Sequence, residues 1–380
     1  MYRATASIPL PGVDFDRLAQ FFGDNQLFGL LNLFSGGGLG NISIVLMRVA
    51  PYITASIIMQ LLTTVVPSLE QMYKEEGEAG RQKFNMITRW LTVPLAVMQS
   101  FGMISLLRSQ QVLVDVSAFD MVAIVTTATA GTVLLMWLGE LITEKGLGNG
   151  VSIMIFAGIA AGLPAAFSRF FADFDSSKLF TYIVFAAVAL VTVAGVILVN
   201  EAQRNIPVTY AKRVRGAKTY GGSSTHLPLR VNQAGVIPII FAVSLILVPG
   251  MVANFLVQAS NPTVARVAGE VGRLFQNQLF YGVLYFTLVV LFTYFYTAIV
   301  FDPLKIADNL QKQGGYIPGT RPGNPTAAYL HFIINRITLA GSLFLGLIAV
   351  LPIVVQNMLN IQSLALGGTS ILIVVSVVLD

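Results

Sequence analysis

Nine long apolar stretches, separated by polar segments, constrain this chain more than any other feature of its sequence. Nearly all of them contain 17–25 residues, the length of a helix that crosses a hydrocarbon layer of about 30 Å. Only 11% of the residues are charged, whereas a soluble domain carries about 25%. The pattern predicts an all-α, polytopic membrane protein with spans near 42–66, 91–107, 121–139, 151–168, 179–199, 233–257, 279–301, 337–355 and 361–379.

The basic residues between these stretches indicate on which side of the membrane each loop lies. Fifteen Lys and Arg residues lie in one alternating set of loops and five in the other. The positive-inside rule places the richer set in the cytoplasm. The cytoplasmic loops are then 67–90, 140–150, 201–231 and 302–336, and the outer loops are 108–120, 169–178, 256–278 and 356–360.

Two of the cytoplasmic loops, 201–231 and 302–330, are longer than orientation alone requires. Segments 208–210 and 218–220 predict a short hairpin, and the Gly and Pro residues of 302–330 predict a series of turns. Ordinary positive-inside loops are the simpler interpretation. Long, structured and basic loops that project from a membrane also suit the docking of a cytoplasmic partner.

The region before the first full span combines a short apolar helix with a flexible joint. The helix, Leu27 to Phe34, is too short to cross a bilayer, and Gly36 to Gly38 follow it. A span that is uncharged from Val49 to Leu69 comes next. Membranes accept a half-helix and a joint only where they line a cavity or pack in protein. The sequence therefore predicts an internal aqueous path that contains a movable element.

Several classes of function are disfavoured by the residues that are absent or badly placed. The chain has no cysteine, which excludes thiol catalysis and disulfides. Its two histidines, His226 and His331, lie in loops or at a helix start, and no P-loop lysine motif exists. We therefore expect neither an enzyme nor a metal site nor a cofactor. A channel and a secondary transporter with inverted repeats both fit these observations, although the acidic residues lie in loops or at span ends.

Eleven short motifs, in one order along nearly the whole chain, resemble those of the SecY family of protein-conducting channels. The motifs are NLFSGG at 32–37, PYITASIIMQLL at 51–62, EGEAGR at 76–81, WLGE at 137–140, ITEKG at 142–146, GNG at 148–150, NQAGVIP at 232–238, FDP at 301–303, ADNL at 307–310, PGTRPG at 318–323 and GGTS at 367–370.

This resemblance implies a fold of ten transmembrane helices in two inverted halves, 1–169 and 170–380, around an hourglass pore with a lateral gate. The first helix is expected to be largely missing, with 1–12 as its outer end, and the tenth to be cut at Asp380. The resemblance also implies a channel subunit that translocates unfolded secretory proteins and releases membrane segments through the lateral gate. Its implied partners are the SecE and SecG subunits, the SecA motor, the ribosome, signal sequences, nascent chains and membrane lipids. The implied location is the bacterial cytoplasmic (inner) membrane, with the thylakoid membrane as the alternative.

The positions that match the family's pore ring are all branched aliphatic residues. Such a ring offers an ion no groups to replace its hydration shell, so it blocks by dewetting, and it can mould around a passing peptide. Taken singly, each residue has a simpler interpretation as a lipid-facing side chain. The positions are Val49, Ile53, Val151, Ile155, Ile237, Ile240 and Ile373.

The resemblance also marks a plug, a lateral gate and a docking surface. The plug corresponds to 27–41, and the lateral gate to the helices that carry polar residues where lipid-facing residues would be apolar. We expect interhelical hydrogen bonds between those residues to hold the gate shut, at about 0.6 kcal/mol each; routine helix packing is the competing interpretation. The plug residues are Leu30, Asn32, Phe34, Ser35, Gly36, Gly37 and Gly38; the gate residues are Thr54, Gln60, Asn149, Ser244 and Val248; the docking residues are Arg213, Arg215, Lys218 and Arg321.

Arg48 departs from the family pattern, in which a small residue is more common beside the pore ring. A charge near the middle of a membrane costs about 2.5–3.5 kcal/mol on insertion scales. Its side chain could reach the interface, face the aqueous funnel or pair with a partner subunit. The family's paired arginines in the loop 201–231 correspond here to Ala217 and Lys218.

Overall fold

The computed structural model describes residues 5, 8, 43–74, 76–109, 117–146, 148–172, 177, 179–210, 213–215, 218–220, 224–257, 261–359 and 373–375. Helices dominate these residues. They are α1 (Ala50–Val65), α2 (Pro67–Lys74), α3 (Gly77–Ser109), α4 (Ala118–Glu144), α5 (Gly150–Ala172), α6 (Leu179–Glu201), α7 (Ile237–Leu256), α8 (Pro262–Gln276), α9 (Gln278–Val300), α10 (Pro303–Lys312) and α11 (Asn324–Leu359). The strands are β1 (Gln203–Tyr210), β2 (Arg213–Arg215), β3 (Lys218–Tyr220), β4 (Ser224–Arg230) and β5 (Gly315–Tyr316).

Several of these helices have the length and apolarity needed to cross a membrane. Within the described ranges, α4, α6, α9 continued by α10, and α11 each qualify as a span, and α1 with α2 forms a broken span bent by 112°. Shorter apolar segments occur in α5 and α7. The predicted class, an all-α polytopic membrane protein, is therefore confirmed. Of the last predicted stretch, 361–379, only 373–375 is described, and these residues are helical.

Two predicted spans begin later in the structure than their apolar stretches do. Helix α1 starts at Ala50 rather than near 42, because residues 44–49 form turns and Arg48 has a φ of 48°. Pro51 then lies in the first turn of the helix, where its missing N–H breaks no helical bond. Helix α7 starts at Ile237 rather than 233, because Gly235 has a φ of 61°. Hydropathy cannot detect either boundary, since apolar residues occupy both sides of it.

The predicted cytoplasmic loop 67–90 is mostly helical rather than irregular, and its side of the membrane stays a prediction. Helix α2 and the first turns of α3 occupy it, and α3 continues to Ser109 over 33 residues, a length of about 50 Å. Helix α11 likewise has 36 residues and includes the end of the predicted loop 302–336. Both helices are longer than a bilayer is thick, so the helical structure continues where the apolar pattern stops.

The helices pack as two groups that meet along α7. In the first group α3 contacts α1 and α4, and α4 contacts α5. In the second group α11 contacts both α9 and α6, and α9 contacts α7. Helix α7 also contacts α1 and α3 of the first group. The line between α7 and the pair α1 and α3 is therefore an interface between the two groups.

The strands join the two long polar loops into one unit. Strand β1 pairs antiparallel with β4, with Ile206 opposite Leu227, and also with β5. Both segments of the predicted hairpin are strands, but the hairpin itself is wrong, because the two segments do not pair with each other. Val208 to Tyr210 belong to β1, whereas Lys218 to Tyr220 form β3, which pairs with β2. The predicted turns in 302–330 are confirmed by positive φ angles at Gly314, Gly319 and Gly323.

This strand-joined unit has a hydrophobic core of its own, which also holds it to α11. The buried members come from β1, β4, the segment after β5 and the first turns of α11: Ile206, Val208, Leu229, Ile317, Leu330 and Ile333. Beside this core, the backbone of α11 closely approaches the residue that follows β4. A Cβ atom on Gly341 of α11 would stand 2.6 Å from the carbonyl oxygen of Val231, so only glycine lets α11 approach the end of β4 this closely.

Candidate channel waist and lateral gate

The predicted pore-ring residues lie in two apolar clusters that touch each other. Val49 and Val151 belong to one cluster, with Leu135 and Met154. Ile237, Ile240 and Ile373 belong to the other cluster. Ile53 and Ile155 contact both clusters, so the seven predicted residues form one continuous apolar set. We call this set the waist.

The waist residues are placed by the four-residue repeat of their helices. Residues four apart lie on one face of a helix, and this repeat aligns Val49 with Ile53, and Val151 with Ile155. The side chains of Ile53, Val151, Ile155, Ile237 and Ile240 are only half-buried. Val49 is 7% exposed and Ile373 is fully buried. Half-buried aliphatic side chains in the interior of a helical bundle leave room for rearrangement.

The same repeat identifies waist neighbours that the sequence interpretation missed. Ile57 and Ile159 extend the two rows by one turn and are buried in the second cluster. Leu138 and Ile142 border the first cluster on α4. Counting one further turn along each row would have found Ile57 and Ile159, whereas the α4 residues carry no signal that separates them from lipid-facing side chains.

Helix α4 holds the turn that leads into the waist by a glycine contact. A Cβ atom on Gly131 would overlap the backbone carbonyl of Ile44 and crowd the side chain of Val45. Val45 is fully buried in the first cluster. Any larger residue at Gly131 would therefore push residues 44–49, and with them Val49, away from α4.

Arg48 lies in this turn in a backbone conformation that non-glycine residues rarely adopt. It is the residue with positive φ among the described non-glycine residues, at 48°, and its side chain is half-buried. The left-handed conformation costs about 1–2 kcal/mol per residue. The structure therefore adds backbone strain to the charge that already made Arg48 unusual.

The predicted gate residues form local hydrogen bonds rather than bonds to one another. The Thr54 hydroxyl donates to the Ala50 carbonyl at 3.0 Å, and the Ser244 hydroxyl donates to the Ile240 carbonyl at 2.9 Å. The Asn149 side chain caps α5 by accepting from the backbone N–H groups of Val151 and Ser152. The predicted interhelical bonds among these residues are thus wrong for the described residues, because helical hydroxyls bond readily to the carbonyl four residues before.

One gate residue does bond to a neighbouring helix, through a partner that the sequence interpretation missed. Gln99 of α3 donates from Nε2 to the Thr54 hydroxyl at 3.3 Å, which joins two helices of the same group. Gln60 donates to Ser56 within α1, and its Oε1 atom is buried without a hydrogen-bond partner. Val248 lies in α7, and its side chain is outside the described part of the structure.

Apolar contacts, rather than these polar groups, dominate the interface between the two helix groups. Ile57 of α1 is buried among residues of α7 that include Ile239 and Ile246. Within the second group, Phe241 on α7 contacts Phe292 and Tyr296 of α9 edge-on, with ring centroids 5.9 and 6.4 Å apart. The interface resembles the waist in composition and adjoins it.

The predicted plug and docking residues are described only in part. The plug residues 27–41 lie outside the described residues. Arg213 and Arg215 lie on β2, and Arg215 stands opposite Lys218 of β3 in the register. Arg321 is exposed between β5 and α11, and its carbonyl accepts a hydrogen bond of 2.8 Å from the Thr326 hydroxyl. All four residues belong to the two loops that the strands join.

The comparisons with known proteins agree with this architecture. A family model described as SecY matches residues 43–380. The protein translocase subunit SecY of Streptomyces galbus is 46% identical over 398 residues, and the alignment covers 100% of this chain and 90% of that protein. The SecY subunits of Corynebacterium glutamicum and Mycobacterium tuberculosis are 45% and 44% identical over the same shares of the chains.

Solved structures show the same fold at greater sequence distance. A structure of a protein-conducting channel matches with a TM-score of 0.67 at 16% identity, over 100% of this chain and 87% of that one. Sec61 in a canine ribosome-channel complex matches with a TM-score of 0.63 at 16% identity over the same shares.

Two groups of membrane-crossing helices around an apolar waist define this molecule as a polytopic helical channel protein. It is a channel subunit rather than an enzyme. The chain belongs to the SecY family of protein translocase subunits.

Proposed function

We propose that this chain conducts unfolded secretory proteins across the membrane through the waist and releases membrane segments between α7 and the pair α1 and α3. The observation that carries the proposal is the continuous apolar set around Ile53 and Ile155, which contact both clusters. A ring of half-buried aliphatic side chains excludes hydrated ions while it yields to a chain of varied side chains.

The lateral gate is assigned to the interface along α7 on the basis of its contacts. Apolar side chains dominate this interface, and in a membrane apolar contacts between helices gain no hydrophobic free energy over contacts with lipid. An apolar signal sequence of about 7–15 residues can therefore replace α1 or α3 against α7 at small cost. The plug at 27–41 is assigned by its sequence alone.

The two strand-joined loops are the proposed docking surface for the SecA motor and the ribosome. Arg213, Arg215, Lys218 and Arg321 give this surface positive charge, which suits acidic partners such as ribosomal RNA. A solved structure of the same fold is that of Sec61 in a ribosome-channel complex. The SecE and SecG subunits are the proposed membrane partners, because the relatives are named as subunits of a translocase.

The chain is a membrane protein, and we place it in the bacterial cytoplasmic membrane. The close relatives come from bacteria, and the excess of basic residues in the strand-joined loops orients them toward the cytoplasm. We assign residues 1–169 and 170–380 to the two halves of the channel, since α1 to α5 and α6 to α11 form the two contact groups and the boundary falls in the last turn of α5. A secondary transporter, the alternative, is not favoured by the family.

Site-specific crosslinking to an arrested translocation intermediate tests the waist. The chain lacks cysteine, so single variants Ile53→Cys, Ile155→Cys and Ile240→Cys can each be paired with one cysteine in the arrested chain. Val283→Cys on α9, which is 59% exposed, is the matched control. We expect disulfides to the three waist positions and none to Val283→Cys. Crosslinks restricted to Val283→Cys would refute the proposed path.

A further inference from the structure

Helix α8 joins α7 to α9 at the end of the bundle opposite the strands. Helix α7 follows β4, and α9 leads into α10 and β5, so the ends that α8 connects lie across the membrane from the strand-joined loops. The side chain of Asn261 caps the start of α8. The side chain of Asn277 directly after α8 caps the start of α9. The helix is therefore a defined element rather than a loose outer loop.

One face of α8 rests on the bundle and the opposite face is charged. Ala268 is 4% exposed, and Phe275 packs against the large apolar cluster and contacts Phe280 of α9 edge-on at 5.8 Å. On the opposite face, Arg273 and Glu270 form an exposed ion pair at 3.9 Å. Such a helix cannot be sunk in the hydrocarbon, because its charged face would lose its hydration.

The two flanks between these faces differ sharply in side-chain size. One flank carries Val264, Val267, Val271 and Leu274, which lie within about 80° of the helix circumference at 3.6 residues per turn. The opposite flank carries Ala265, Gly269 and Gly272. A Cβ atom added at Gly269 or Gly272 would meet no atom within 4 Å. Tight packing therefore does not explain the small flank.

Packing within the chain does not explain the large flank either. Val264, Val267 and Leu274 are 37%, 60% and 51% exposed. Three large aliphatic side chains exposed on one flank, beside a charged face, form the pattern of a helix that lies in a membrane interface. The small flank has no such pattern, which indicates that the bilayer lies on one side of α8 only.

We propose that α8 lies in the outer interface of the membrane, with the flank of Val264, Val267, Val271 and Leu274 immersed in phospholipid. Exposed apolar side chains also occur on the helices that precede and follow α8. Val252 near the end of α7 is 50% exposed, and Leu279 at the start of α9 is 77% exposed. Arg266 and Arg273 then lie at the level of the lipid phosphates, which attract them.

In this placement the phospholipid contacts α8, and α8 packs against α7, the helix along which the two groups meet. Helix α8 contacts both α7 and α9, so movement of the outer end of α7 has to move α8 along the interface. The proposal rests on the assignment of the spans and not on which chain the channel conducts.

The absence of native cysteine permits a direct test in membranes. Val267→Cys and Glu270→Cys, on side chains of similar exposure (60% for the residue, 66% for the side chain), are labelled with the environment-sensitive dye NBD. Each variant is reconstituted as the full translocase complex in phosphatidylethanolamine and phosphatidylglycerol vesicles. Quenching by a nitroxide-labelled phospholipid is compared with quenching by aqueous iodide. Val264→Cys reports on the same flank as Val267→Cys, and Gly269→Cys reports on the opposite flank.

We expect NBD at Val267→Cys and Val264→Cys to emit at shorter wavelength and to be quenched several-fold more by the nitroxide lipid than NBD at Glu270→Cys and Gly269→Cys. Iodide should show the reverse order. Equal iodide quenching at Val267→Cys and Glu270→Cys would place the flank in water and overturn the proposal. Protection of Val267→Cys from both quenchers would also overturn it, because a partner subunit or a second copy would then cover the flank.

Discussion

The waist and the core of the strand-joined loops are built from the same aliphatic residues but are packed differently. In the loops, Ile206, Val208 and Leu330 are at most 2% exposed. In the waist, Ile53 and Ile155 are half-buried. The loop core lies in water, where burial of apolar surface stabilises it by about 25 cal/mol per Å². The waist lies among helices in a membrane, where this driving force is missing.

The difference separates a rigid region from a yielding one. A docking surface has to hold its shape while a partner pushes against it, and a fully packed core supplies that. A seal has to change shape whenever a chain enters, and half-buried side chains that no hydrophobic effect holds together allow it. The following substitutions test whether the two regions differ in this way.

Truncation of a side chain in the loop core should produce the largest loss of stability. Leu330→Ala leaves a cavity in a fully buried site, and such changes cost about 2–5 kcal/mol. We expect faster amide hydrogen exchange in β1 and β4, measured by mass spectrometry, with the helices of the first group unchanged. Leu304→Ala on α10, where the side chain is 59% exposed, is the control. Unchanged hydrogen exchange in Leu330→Ala would contradict the interpretation of the loop core as the rigid region.

A polar substitution in the waist should change ion leakage much more than stability. Ile155→Asn places an amide among aliphatic side chains, which gives water and ions a group to bind. We expect a clear rise in ion conductance across planar bilayers and a shift in thermal unfolding of the complex that corresponds to about 1 kcal/mol or less, since this side chain is already half-buried. Ile155→Val, which keeps the site aliphatic, is the control. A channel that stays sealed with Asn at this position would contradict the assignment of the waist.

The spans were predictable from the length of the apolar stretches, whereas the waist was predicted from the resemblance to the SecY family, because branched aliphatic residues at these positions are also typical of lipid-facing side chains. The row of Val49 and Ile53 and the row of Val151 and Ile155 are visible as four-residue repeats. The start of α1 was not predictable, because the conformation of Arg48 depends on contacts such as that between Gly131 and Ile44. Strand pairing also escaped prediction, since the pairing of β1 with β4 and β5 is set by contacts between distant segments. The polar gate bonds were wrong because a hydroxyl on a helix has a nearer acceptor in its own backbone.

Backbone strain at the entrance to α1 provides a smaller test on the waist side. Arg48→Gly and Arg48→Ala both remove the charged side chain, but only glycine adopts a φ of 48° without strain. We expect the glycine variant to be more stable than the alanine variant by about 1 kcal/mol, measured as the difference in thermal unfolding of the complex in detergent. Equal stability of the two variants would mean that residues 44–49 relax when the arginine is removed, and that the turn does not fix Val49.

The hydrogen bond between Gln99 and Thr54 should have the smallest effect, and its size tests why the waist region yields. It joins α3 to α1 at 3.3 Å, and bonds between membrane helices average about 0.6 kcal/mol. Gln99→Leu removes the donor, while the Thr54 hydroxyl keeps its bond to the Ala50 carbonyl, so no buried polar group is left without a partner. We expect a shift in thermal unfolding no larger than that of Thr127→Val, which removes an exposed hydrogen bond from a hydroxyl to the backbone of α4. A much larger loss would mean that polar contacts hold α1 and α3 rigidly together, and a gate opening along α7 would then move these two helices as one body.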